Sequence, residues 1–121
     1  EKQDRAEKEW FRKVKMYRGW YDTTKQAQAV QALRAIDDPY AVRAIREALA
    51  EEPEWRVRKL YVEALSHIKS GSAVAAMVDV TIKDAVDEVR YSAMDNFPEK
   101  DPEIVAMYIK YLQSKDNTVI N

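Results

Sequence analysis

The chain has 121 residues, 46% of them hydrophobic and 34% charged, with a net charge of −1. That is one domain's worth of polypeptide with enough apolar material for a core, so the charged content marks solvated faces rather than disorder. The near-neutral balance and pI near 5.9 argue against a dedicated nucleic-acid binder, and the lack of cysteine excludes a disulfide framework and a thiolate nucleophile. No apolar run approaches the ~20 residues of a membrane span, and no signal peptide is visible. Two glycines and four prolines leave room only for short turns, which suits an all-helical chain. The first residue is Glu1 and not methionine, so a leader or an upstream domain is an open expectation and no compartment is assigned.

Residues 1–21 read as an amphipathic helix. Trp10, Val14, Tyr17 and Tyr21 recur at three- and four-residue steps, with Phe11 and Trp20 beside them and Glu7, Arg12, Lys13 and Arg18 opposite. Gly19 is expected to end or bend it. Residues 1–25 carry eight Lys/Arg against five Asp/Glu, a net of +3, and the remainder carries twelve against sixteen, a net of −4. Such a modest basic excess suits a solvated face. The aromatic stripe can serve as a partner surface, with Trp10, Tyr17 and Trp20 as anchors, or as a cap over the first repeat; arrays need caps for solubility, so the cap is preferred.

Thr23 and Gln26 have the spacing of a capping box, opening a helix that carries Ala29, Val30, Leu33 and Ile36. Asp38-Pro39 starts the next helix, Asp38 accepting from free amides and Pro39 standing where no donor is needed. Val42, Ile45 and Leu49 form its inward stripe, so Arg43 and Glu47 point away from the core. Pro53 marks the following start, giving helices over 53–68 and 72–82, separated by Ser70-Gly71. Gly71 is expected to take the left-handed conformation that closes a helix. Asp84, Asp87 and Glu88 place negative charge at the start of the next helix, which stops near Phe97-Pro98. Asp101-Pro102 repeats the Asp38-Pro39 signal. The helix that follows is apolar on nearly every side (Ile104, Val105, Met107, Tyr108, Ile109, Tyr111, Leu112), the pattern of a buried helix, although only residues 116–121 remain after it.

These elements repeat. Val57, Val89 and Val119 are 32 and 30 residues apart, as are Val42, Val74 and Ile104, and Ile45, Met77 and Met107; Leu33, Leu65 and Phe97 keep the step of 32. A fixed step of apolar positions marks stacked helical pairs, because one pair cannot bury its own apolar face. The two residues lost in the third unit fall between its helices, where loops tolerate deletion.

The segments Ala32–Leu49, Val57–Ile68 and Val89–Phe97, with the pairs Val57-Arg58 and Val89-Arg90, resemble HEAT repeats, in particular the short bacterial form found also in phycobilisome lyases. The resemblance covers about residues 22–121. The first unit departs from it, with Lys25-Gln26 where the Val-Arg pair belongs. The Thr-Pro-Leu-His of ankyrin repeats and the Trp-Leu-Gly-Tyr of tetratricopeptide repeats do not occur. The resemblance implies an all-α fold, an α-α superhelix of the armadillo/HEAT-like solenoid type, right-handed, with three helical pairs behind an N-terminal capping helix at 1–21. The units would span 22–52, 53–83 and 84–115, with the start of a fourth at 116–121. It also implies that Arg58 and Arg90 bond neighbouring helices or turns, a reading that in-register repetition favours over an anion-binding ladder.

No constellation rises to a catalytic or cofactor signature. His67 is the one histidine and sits near a helix end, where a structural role suits it better than metal binding, which needs several converging ligands. The glycines are 52 positions apart, so no phosphate-cradling loop forms, and the acidic pairs fall at helix starts or turns. The expected function is a non-catalytic protein–protein interaction scaffold without a cofactor, a fragment or domain of a longer protein, with an unidentified protein partner and no nucleic acid. The alternatives implied by the resemblance are an enzyme-associated module of bilin-lyase type or a nucleic-acid-binding HEAT-like protein. The expected partner surface comprises Trp10, Tyr17, Trp20, Arg43, Glu47, Asp79, Val105 and Ile109. The register carries Arg43 and Glu47 to Ala75 and Asp79 and then to Val105 and Ile109. For this last pair the preferred reading is burial under a further unit or self-association at the C-terminal end.

Overall fold

The computed structural model describes residues 2–97 and 102–120, the latter stretch without the side chains of residues 104, 108, 112 and 115–120. The described residues form seven α-helices: α1 (Lys2–Tyr21), α2 (Gln26–Arg34), α3 (Val42–Glu51), α4 (Trp55–Ser66), α5 (Gly71–Lys83), α6 (Asp87–Asp95) and α7 (Pro102–Ile120). No strand occurs among them. The first helices of successive pairs stack as α2–α4–α6 and the second as α3–α5–α7, while α1 lies across α2, α3 and the turn between them. This is the expected all-α solenoid.

The middle pair makes the core because it has neighbours on both sides. In α4, Val57, Leu60, Tyr61, Val62, Ala64 and Leu65 are all buried, and in α5 Ala73, Val74, Ala76, Met77 and Val80 are. Helices apolar on more than one face can be satisfied only in such a sandwiched layer. Val14 of α1, 3% exposed, joins the same cluster, with Trp10, Phe11, Tyr17 and Tyr21 packed against it.

Helix starts follow local chemistry. The Asp38 side chain accepts from the Tyr40 amide at 3.0 Å and opens a short 3-10 turn, Pro39–Ala41, that runs into α3. Ser70, 32 residues on, caps α5 by accepting from the Ala73 amide at 3.1 Å. Pro98 and Asp101, the expected stop and start signals of the third unit, lie outside the described residues, as do the side chains of Ile104, Tyr108 and Leu112.

Several expectations change. Thr23 and Gln26 form no capping box: α2 begins at Gln26 itself, Thr23 accepts from the Lys25 amide in a tight turn, and the Gln26 side chain reaches back to the Tyr21 carbonyl. Gly19 neither ends nor breaks α1, whose last residue is Tyr21. The second unit's first helix begins at Trp55, behind the side-chain cap of Glu54, rather than at Pro53. Gly71 is not left-handed; it is the first residue of α5, and no described residue has positive φ. A Cβ at Gly71 would lie 2.3 Å from the Met107 carbonyl oxygen and 2.9 Å from Tyr111 Cβ, so its smallness lets α7 cross the start of α5. Finally, α7 continues through residue 116, where a fourth unit was expected to start, because no proline or glycine punctuates residues 103–120.

Candidate partner-binding surface

The loops between units share one construction. Glu52 and Asp84, 32 residues apart, each accept from the amide two residues ahead, Glu54 at 3.2 Å and Val86 at 2.9 Å. Each also receives a guanidinium from the preceding layer. Arg18 of α1 holds Glu52 through Nε and, at 3.1 Å, Nη2. Arg58 of α4 holds Asp84 through Nε at 2.9 Å and Nη2 at 3.1 Å, and its Nη1 donates to the Glu52 and Pro53 carbonyls at 3.0 Å each. Arg90 repeats the backbone half of this pattern, donating to the Asp84 carbonyl at 2.6 Å. An alternating series, Arg18–Glu52–Arg58–Asp84–Arg90, thus stitches the layers along their loop edge.

The planar forks are well suited to this paired geometry. Every nitrogen of the Arg58 guanidinium is engaged, which removes the anion-ladder reading for that residue. The Asp84 bonds raise the affinity of Arg58 for its proton against the opposing effect of burial. For Asp84 burial pushes the carboxyl up, but the Arg58 fork and the Val86 amide outweigh it and hold the group below its ordinary value. Arg18 is likewise raised, chiefly by its bonds to Glu52.

The aromatic residues of α1 are mostly turned inward. The Trp10 indole N–H donates to Asp38 Oδ2 at 3.0 Å, and Lys13 Nζ lies 4.7 Å from its ring. Tyr17 packs on the core and meets Trp20 at 5.4 Å, and Lys25 Nζ covers Trp20 at 5.2 Å. These placements favour the cap over a docking surface. His67 caps the end of α4 with Nδ1 2.8 Å from the Arg34 carbonyl, so a proton on Nδ1 donates to a carbonyl at the C-terminal end of α2.

Arg43 and Glu47 are exposed on α3, as their register requires, with Arg43 3.5 Å from Glu7 of α1. Asp79 of α5 is paired with Arg46 of α3 at 3.0 Å, a contact spacing alone does not give. Val105 is half-buried and Ile109 is 49% exposed. The expected surface residues therefore do not form one patch; Glu47 and Asp79 border different clefts.

One cleft, of about 500 Å³, opens between α3 and α5, where Arg46, Leu49 and Ala50 face Ala76, Asp79, Val80 and Lys83. Its inner end is closed by Glu52, Arg58 and Asp84. The second, of about 220 Å³, lies between α1 and α3. Phe11, Val14, Ala44 and Ala48 form its apolar walls, Glu47, Glu51 and Lys15 its rim, and Tyr61 with the Arg18–Glu52 pair its floor. Phe11, Lys15 and Tyr61 were missed in the sequence, since nothing in the repeat step indicates that α1 would leave a slot over α3.

Among the described residues no group of His, Cys, Asp or Glu could hold a metal ion, and no helix is long and apolar enough to cross a membrane. The family model described as HEAT repeats matches residues 19–97. No curated protein and no solved structure matches the chain.

Proposed function

The chain belongs to the HEAT-repeat family, and from that premise we propose that it is a non-catalytic scaffold whose second helices, α3 and α5, receive a protein partner. HEAT repeats generally mediate protein–protein interaction. The observation that carries the reading is the α3–α5 cleft, a concave strip of about 500 Å³ with an apolar wall and charged edges. An apolar centre within a polar rim is the make-up of protein-binding surfaces. Nucleic acid suits this strip poorly, because Arg46 and Arg58, two of its three basic residues, are spent on Asp79 and Asp84.

The test is site-specific photo-crosslinking in cells, with a benzoylphenylalanine at Glu47, at Asp79 or at the exposed Lys59 of α4. Discrete adducts from Glu47 and Asp79 and none from Lys59 are expected. Equal labelling from all three sites overturns the assignment of the face.

Self-association through the last layer is the second part of the proposal. Met94 is 51% exposed, whereas its register counterpart Val62 is fully buried beneath the following layer. Ala106 is exposed, whereas Ala44 and Ala76 are buried. A second copy covering these positions would give a dimer by light scattering that Met94→Lys makes monomeric; a monomer at all concentrations counts against it.

A further inference from the structure

We infer that the slot between α1 and α3 is a receptor for a single lysine or arginine side chain of the partner, a site that rests on the scaffold reading and sharpens it. Three observations support this. The first is size: about 220 Å³ is below the usual range for drug-sized ligands but accommodates one long side chain. Phe11, Val14, Ala44 and Ala48 offer an apolar sleeve, the surface along which lysine and arginine lay their methylene stems.

The second is an unpartnered polar group at the floor. Tyr61 is only 1% exposed, yet its hydroxyl makes no hydrogen bond with any described residue. Among the described residues no fully enclosed side-chain oxygen or nitrogen lacks a partner, so this hydroxyl keeps its exposure through the slot that Tyr61 lines. A phenol oxygen accepts from an ammonium or guanidinium, which has donors only.

The third is charge. Three carboxylates, Glu47, Glu51 and Glu52, face two cations, Lys15 and Arg18. Arg18 is bound to Glu52 and Asp22, which leaves Glu47 and Glu51 without an ion pair among the described residues, and Lys15 as the rim's free cation. The balance at the mouth favours a positive guest and disfavours a carboxylate.

The experiment uses n-butylammonium and n-butylguanidinium as probes on the full chain, with n-pentanol and n-butyrate as neutral and anionic controls. Binding is followed by the NMR shifts of the Ala44 and Ala48 methyls and the Tyr61 ring. The cations are expected to bind with Kd on the order of 10 mM, the range open to ligands of so few atoms. They should bind severalfold more tightly than n-pentanol, with n-butyrate silent. Glu47→Gln with Glu51→Gln should weaken the cations severalfold and leave n-pentanol unchanged, Tyr61→Phe should weaken them, and Lys15→Ala should tighten them. Equal binding of n-pentanol, preference for n-butyrate, or no shift from either cation at 100 mM, on the order of ten times the expected Kd, overturns the proposal. Should the probes fail while partner adducts still form at Asp79, the slot is lost and the scaffold reading stands; loss of the adducts with the probes still binding gives the converse.

Discussion

Asp38 joins two parts of the chain through its two carboxylate oxygens: Oδ2 accepts from the Trp10 indole and Oδ1 from the Tyr40 amide, each at 3.0 Å. The residue that starts the α3 turn is thus also the one that fastens α1 to the array, 28 positions away. Trp10→Phe keeps part of the aromatic packing and removes the donor, and should cost about 1–2 kcal/mol in urea unfolding. Trp10→Ala should cost about 3 kcal/mol, toward the low end for a large aromatic because the side chain is half-buried. A Trp10→Phe loss near zero, with the Trp10→Ala loss unchanged, would mean that the hydrogen bond contributes nothing beyond the ring.

Arg58 and Asp84 should give the largest single loss along the loop edge. Their side chains are 14% and 8% exposed, so Arg58→Ala leaves a nearly buried carboxylate with the Val86 amide but no countercharge fork, and takes the Arg58 donor from two loop carbonyls. A loss of about 2–4 kcal/mol is expected, and Arg58→Lys should recover only part of it because an ammonium cannot reproduce the fork.

The same pair sets an acid dependence. The folded Asp84 carboxyl lies below its unfolded value, so its stabilisation is present above that value, about 4, and is lost as pH falls through the folded one. Asp84→Asn should flatten the fall in stability below about pH 4 relative to the unaltered chain, measured by denaturant titration across that range. Parallel curves for the two chains would refute the linkage.

Gly71→Ala tests the crossing of α5 by α7. The new Cβ meets Met107 backbone atoms, at 2.3 Å to the oxygen and 2.8 Å to the carbon, which no rotamer change can relieve. A loss of about 1–3 kcal/mol is expected despite alanine's better helix propensity, with faster amide exchange in residues 102–114 and little change in α2. Gly19→Ala meets nothing within 4 Å and should be neutral or stabilising.

Tyr61 provides an alkaline signature. Burial first, and then Glu52, push its phenol up to about 12, with Arg18 opposing. A raised folded value means that the stabilisation is complete below about pH 10, the unfolded value, and is lost as pH climbs toward 12. Ultraviolet titration should show a late-ionising tyrosine that Tyr61→Phe abolishes.

The stacking was legible because burial in a layered array imposes itself on the sequence: positions 42 and 74, or 45 and 77, must be apolar wherever a neighbour covers them. The cap helix was legible for the same reason, in the Val14 stripe. The loop edge was only half legible. Arg58 and Arg90 stood out, but of the acids six positions before each, Asp84 was read as a helix-start charge and Glu52 only as one of an acidic pair at a helix start or turn, when their partners lie a layer away. Gly71 misled because a glycine between helices commonly adopts positive φ, whereas here it makes room for another helix's backbone, a demand set by a residue 36 positions on. The slots between helices were not legible, since they depend on the angle at which α1 and α3 part.

The α3–α5 cleft is held unequally at its two ends. The Arg58–Asp84 end is nearly dry and multiply bonded, whereas Arg46–Asp79 is a single ion pair with 34% and 46% of its side chains exposed. Exposed pairs weaken with salt far more than sheltered ones. The loop edge can therefore serve as the spine of a book and Arg46–Asp79 as its clasp. Bending the array would pivot on the first and release the second, making the width of the groove sensitive to ionic strength while the stack itself stays bound.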